Sequence, residues 1–230
     1  YLQYGIDGVI QIASDTLMTL KNDFQIDSKV QTQLDTAYLE SVIHVWKRFR
    51  QFVADHMMLA LELEKKETIE TEKKRYKKIA KICQNLTINK PTTFCEALQL
   101  FWFVYLFRNP FGAGCIGRLD QLLYPFYQND CEHGIWNHKE AEKMLEAIFT
   151  RMNETNTGDT LRNLMLSGQD AKGSDQTNEI TYLILAAYEN TGGAEPHLNV
   201  RFHEKTPKKL RDECIRMLSN GCGQPTLYFD

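Results

Sequence analysis

Gly112-Ala113-Gly114-Cys115-Ile116-Gly117 spells G-x-G-x-x-G, the glycine pattern of a dinucleotide-binding turn. Such a turn needs a strand before it and a helix after it, so that phosphate meets the helix N-terminus. Here a helical segment ending in Asn109-Pro110 comes before, and Pro125 interrupts the chain soon after. Two readings stand: a nucleotide-binding domain at Gly112–Gly117, or a tight loop where backbone must approach something closely.

The other reactive side chains are scattered. His44, His56, His133, His138, His197 and His203 show no H-x-x-x-H or H-E-x-x-H spacing. The cysteines Cys83, Cys95, Cys115, Cys131, Cys214 and Cys222 form no C-x-x-C pair. A zinc site is therefore not expected, and neither a nucleophile elbow nor a P-loop is present. His197, just before a β-type run, is the histidine to follow, and its expected role is a structural hydrogen bond. Thiols scattered in this way suit a reducing cytoplasm better than a disulfide framework.

The elements that position these residues fall into two parts. Apolar residues recur at helical spacing from Ile6 to Leu20 and from Leu34 to Leu61. Long amphipathic helices are expected to about Gln84, with a break between Asn22 and Asp27. A helix starts after Pro91, where Thr93 and Glu96 fit a capping box, and ends before Asn109-Pro110. Asn137 with Glu140 caps another helix that runs to about Arg151. Residues 1–151 are thus read as helical.

Residues 160–230 read differently. Leu161–Leu166, Leu198–Phe202 and Thr226–Phe229 are short β-type runs. Helical stretches at about Thr177–Glu189 and from Thr206-Pro207 to Gly221 separate them, with Thr206 read as N-cap. Single-helix crossovers imply a parallel βαβαβ unit, and hence a helix-rich α/β fold.

Charge and composition limit the partners. The net charge of −3 is too small to steer nucleic acid or an anionic membrane. Lys73, Lys74, Arg75, Lys77 and Lys78 cluster, but Glu67, Glu70 and Glu72 interleave or precede them, as on the wet face of a helix. The longest apolar run, Leu100–Phe107, is shorter than the ~20 residues of a membrane span. The chain opens at Tyr1 and stops at Asp230 within an apolar run, so both ends read as cut.

Three stretches carry a resemblance. The first is Pro91-Thr92-Thr93-Phe94-Cys95-Glu96-Ala97-Leu98-Gln99, a helix start. The second is Gly117-Arg118-Leu119-Asp120-Gln121, with Tyr124-Pro125-Phe126-Tyr127 and Asp130. The third is Asp175-Gln176-Thr177-Asn178-Glu179-Ile180-Thr181, with Glu195-Pro196-His197-Leu198-Asn199-Val200-Arg201. In this order they resemble motifs of the glycyl radical enzymes of the pyruvate formate-lyase family. Tyr4-Gly5-Ile6-Asp7-Gly8 is also similar to a helix that follows an early active-site segment.

The resemblance implies part of a ten-stranded barrel of two parallel half-barrels, wrapped in helices around an active site. It implies a separate radical-SAM activase that installs a glycyl radical, a cysteine thiyl that acts on a small-molecule substrate, and a homodimer at full length. No cofactor is expected within this chain. The cysteine motif G-C-V-E and the glycine motif R-V-x-G-Y are absent, and both are expected beyond Asp230, so this chain alone is expected to be inactive. Carried over residue by residue, the segment before Gly117 is a wall of the substrate cavity, which assigns Gly112, Ala113 and Cys115 to substrate binding. Members of dehydratase type carry hydroxyl residues in this stretch, so Ala113 and Cys115 count against a polyol. Arg118 and Asp120 are expected to lock the loop by ion pairing rather than to touch substrate. The implied reaction is cleavage of a C–C, C–O or C–N bond. The competing reading is a non-catalytic helical interaction module on Leu34–Gln84.

Overall fold

The computed structural model describes residues 1–22, 29–108, 114–154 and 162–229. The chain divides into two compact units, Tyr1–Thr92 with Gln99–Val104, and Thr93–Leu98 with Tyr105–Asp230.

The first unit is helical: α1 Gly5–Asn22, α2 Lys29–Lys66 and α3 Glu70–Ile88. Ile6 and Ala13 of α1, Phe49, Val53 and Ala60 of α2, and Ala80, Cys83 and Leu86 of α3 are buried, each set at helical spacing. Gly5 has φ +72°, and a Cβ there would stand 2.7 Å from the Lys90 Cα, so only glycine fits. His56 is a packing residue, with its ring 4.4 Å from Phe52 and 5.0 Å from Phe103 and Nδ1 2.8 Å from the Phe52 carbonyl.

The expected continuous helix to Gln84 is broken at Glu67–Ile69. No glycine or proline marks the break. Instead the Glu67 carboxylate accepts the N–H groups of Thr68 (2.8 Å) and Ile69 (3.0 Å) and ends α2. The break expected between Asn22 and Asp27 falls largely outside the described residues.

Helix α4, Phe94–Arg108, contributes residues 99–104 to the first unit and its ends to the second. Its capping box forms: Glu96 N–H donates to Thr93 Oγ1 (3.2 Å), and Thr93 N–H donates to the Glu96 carboxylate (3.4 Å). Next come β1 Gly114–Gly117, α5 Leu119–Glu132, α6 His138–Glu154 and β2 Arg162–Ser167. They are followed by α7 Glu179–Thr191, β3 His197–Phe202, α8 Lys208–Ser219 and β4 Thr226–Phe229. Asn137 and Glu140 cap α6 reciprocally, both at 3.1 Å.

Helix α5 runs through Pro125. An interior proline costs about 3 kcal/mol. One face of α5 nevertheless buries Leu119, Leu123 and Tyr127, which outweighs it. Thr206 does not cap α8, as its hydroxyl accepts the His203 N–H at 2.8 Å instead. Pro207, with φ −57° and ψ 137°, holds the N-cap position.

The four strands form one sheet in the order β1-β2-β3-β4, every pair parallel. The three expected runs are therefore parallel neighbours, although Leu161 lies outside the described residues. Strand β1 had no β signature, since two of its four residues are glycine. Helix α5 packs on β2, and α7 packs against α5 and α6.

Candidate functional site

Successive strand residues point to opposite faces, and the register aligns those faces across the sheet. On the covered face lie Arg162, Leu164 and Leu166 of β2 and Leu198, Val200 and Phe202 of β3, all buried. On the opposite face the register sets Cys115 beside Asn163, Asn163 beside His197, and Met165 beside Asn199. It continues with Asn199 beside Thr226 and Arg201 beside Tyr228. Cys115, Asn163, Thr226 and Tyr228 are exposed there, and Met165, His197 and Arg201 are half-buried. Asn199, at its centre, is buried, but no other described element of the second unit is packed over this face. It is polar where its reverse is apolar.

The face is hydrogen-bonded within itself. Gln224 Nε2 donates to His197 Nδ1 at 3.1 Å, which leaves Nε2–H to donate to Thr226 Oγ1 at 3.2 Å. His197 is thus a connector between β3 and the start of β4, the structural role expected of it. The Gln224 carbonyl oxygen also accepts the Leu198 N–H. Asn199 Nδ2 donates to the His197 carbonyl (3.1 Å) and to Asn163 Oδ1 (3.3 Å). Its own Oδ1 is buried and accepts nothing among the described residues. An acceptor without a donor in the middle of an uncovered polar face is an unfilled hydrogen-bonding position.

Of the residues assigned to substrate binding, Gly112 and Ala113 lie outside the described residues. Cys115 is exposed on the open face, with its carbonyl accepting from Arg108 Nη1 at 3.3 Å. The last four residues of the G-x-G-x-x-G run are themselves β1, and a helix precedes them. The strand–turn–helix order of a phosphate-binding turn is not formed.

At the C-terminal edge of the sheet Arg118 and Asp120 do hold the loop, through hydrogen bonds where ion pairing was expected. Arg118 Nη2 donates to the Ser167 carbonyl at 2.6 Å. Asp120, fully buried, accepts the Ser167 N–H at 2.8 Å and the Thr181 hydroxyl at 2.9 Å. Burial pushes the Asp120 carboxyl up, and these donors pull it back down. Ser167 has φ +58°, the left-handed region. Its hydroxyl lies 2.8 Å from Thr177 Oγ1, which donates to Asp175 Oδ1 at 2.9 Å. His203 Nε2 stands 3.0 Å from the same oxygen. Gln121 and Asn178 complete the edge, with Gln121 Nε2 donating to the Gln176 carbonyl at 2.6 Å and Asn178 capping α7.

Sequence reasoning had not singled out Asn163, Met165, Asn199, Arg201, Thr226 and Tyr228 as one surface. The signal was present in β3 alone, as a polar residue at alternate positions in His197-Leu198-Asn199-Val200-Arg201. Among the described residues there is no group of three or more His, Cys, Asp or Glu that could hold a metal ion. Among them too, no helix is long and apolar enough to cross a membrane.

Residues 1–230 match the family described as "Pyruvate formate lyase-like". The trans-4-hydroxy-L-proline dehydratase of Clostridioides difficile is 32% identical over 186 residues, covering 74% of this chain and 24% of that protein. The isethionate sulfite-lyase of Nitratidesulfovibrio vulgaris is 30% identical over 210 residues, covering 84% and 25%. Among solved structures, substrate-bound hydroxyproline dehydratase from Clostridioides difficile aligns with a TM-score of 0.87 at 27% identity, over 98% of this chain and 30% of that one. The glycerol-bound, B12-independent glycerol dehydratase from Clostridium butyricum aligns at 0.86 and 26% identity, over 99% and 30%. The chain spans about a quarter of the length of the curated relatives it matches.

Proposed function

This chain belongs to the pyruvate formate lyase-like family of glycyl radical enzymes, and on that premise we propose that it forms one wall of a substrate cavity. The uncovered polar sheet face carries this reading. A parallel sheet ordinarily has both faces covered, and the described residues of the second unit leave open the side that bears Cys115, Asn163, His197 and Asn199. The reaction is cleavage of a C–C, C–O or C–N bond in a small metabolite by thiyl chemistry, of the lyase or dehydratase type named for the relatives. Acyl transfer is the variant reading.

The radical-bearing cysteine and glycine lie outside residues 1–230, in keeping with relatives about four times as long. A radical-SAM activase supplies the glycyl radical, and the full-length protein is a homodimer of the cytoplasm. Within this chain the face does three things. It offers hydrogen bonds to a polar substrate through Asn163 and Thr226, it leaves a buried acceptor at Asn199, and it keeps side chains short beside β1.

The test is Cys115→Leu in the full-length protein, activated anaerobically. A leucine there takes space from the cavity without touching the covered core. The glycyl radical signal should persist by electron paramagnetic resonance while turnover is lost. Unchanged kcat and KM would remove β1 from the substrate site.

A further inference from the structure

We propose that Arg118 and Asp120 are positioning residues that clamp Ser167 in its left-handed conformation and so fix β1, with Cys115, on the open face. This rests on the reading of Cys115 as part of the substrate wall, and it assigns to that wall the parts that hold it in place.

Strand β1 is poorly attached by its own pairing. It has four residues, stands at the sheet edge, and meets β2 at only three positions, with a register shift between Cys115 and Gly117. Gly117, at φ +85°, then bends the chain out of the strand. That bend delivers Arg118 and Asp120 to the last residue of β2. One takes the carbonyl of Ser167 at 2.6 Å and the other its N–H at 2.8 Å, so both polar groups of that residue's backbone are gripped. Asp120 is itself tied to α7 through Thr181 at 2.9 Å. The clamp therefore joins β1, β2 and α7 at one buried point.

The conformation it enforces is costly for any residue with a Cβ. Strain of this kind persists only where the surroundings over-determine it. The neighbouring turn also shapes the open face. Gly168 has φ +90°, and a Cβ on it would stand 3.2 Å from Arg201 Cβ and 3.4 Å from Nε. The Ser167–Gly168 turn thus makes room for the Arg201 side chain on the same face. Loosening the clamp releases the wall at Cys115 and disturbs the seat of Arg201, without removing any group that touches substrate.

The experiment is backbone hydrogen exchange on the 230-residue chain, read at Cys115–Gly117. Arg118→Gln and Asp120→Ala should each speed exchange there. Ser167→Gly in the Asp120→Ala background should restore protection, because glycine holds a positive φ without the clamp. If Asp120→Ala does not fold, Arg118→Gln with and without Ser167→Gly carries the same comparison. Unchanged exchange in Arg118→Gln, or no rescue by glycine, overturns the clamp. In the activated full-length enzyme, Arg118→Gln should raise KM about tenfold with kcat held, as expected of a mispositioned wall. An unchanged KM in an enzyme that carries the radical shows that the clamp does not position the site. Failure of the wild-type protein to form a radical defeats the functional reading instead, while the exchange data still decide the clamp.

Discussion

Asp130 offers a sharp test of how the second unit is held together. Its carboxylate is fully buried and accepts the Phe94 N–H at 2.8 Å, across 36 residues of sequence. Phe94 is the first residue of α4, so this bond satisfies one of the free N–H groups at the helix start. Asp130→Ala leaves that N–H buried without an acceptor, which costs about 1–3 kcal/mol. It also removes a negative charge from the helix N-terminus, worth about 0.3–1 kcal/mol. The total is about 1–4 kcal/mol. At about 2–4 °C per kcal/mol for a chain of this size, Tm falls by ~3–16 °C. Asp130→Asn keeps an oxygen acceptor at the same place, so most of the loss should return. The measurement is thermal and urea unfolding of the three proteins, followed by circular dichroism. An Asp130→Ala variant within about 0.5 kcal/mol of the parent, the range of neutral surface changes, would refute the reasoning, as would an Asn variant no better than Ala.

Two further outcomes follow from other parts of the chain. Glu195 is fully buried with neither carboxylate oxygen hydrogen-bonded among the described residues, and burial pushes its carboxyl up although Arg162 acts to lower it. A raised folded value means stability that is full below the unfolded value and lost as pH rises through the folded one. Glu195→Gln should therefore gain on the parent as pH rises from about 4 toward neutrality; urea midpoints that run parallel across that range would contradict this. Anaerobic treatment of the 230-residue chain with activase and S-adenosylmethionine should give no glycyl doublet, and a doublet on this chain would mean the radical motif has been misplaced.

The parts of the fold legible in the sequence were those governed by local chemistry. The Thr93–Glu96 and Asn137–Glu140 boxes form as their spacing requires, because each needs only atoms within one turn. The β-type runs at 198–202 and 226–229 sit where alternation and turn residues put them. What escaped depended on distant partners. Strand β1 exists because β2 lies beside it, and its glycines carry no propensity to announce that. Helix α5 tolerates Pro125 because burial of Leu119 and Leu123 was decided elsewhere in the chain. The Glu67 break was hidden because a carboxylate, rather than a proline or glycine, ends α2.

The site was legible in a particular and limited way. The three stretches that carried the family resemblance are tied to each other: Phe94 to Asp130, Asp120 to Thr181, Gln121 to the Gln176 carbonyl. Their recognisable spacing belongs to a scaffold that fixes the ends of strands and helices. Such bonds need buried acceptors and donors at set positions, so only a few residue types serve, whatever ligand the sheet faces. The open face has no such requirement. Cys115, Asn163 and Thr226 point away from the core, and packing places little constraint on them. Motifs of this kind therefore reveal the fold and family, while substrate choice rests with side chains whose spacing carries only the period-two alternation of a strand.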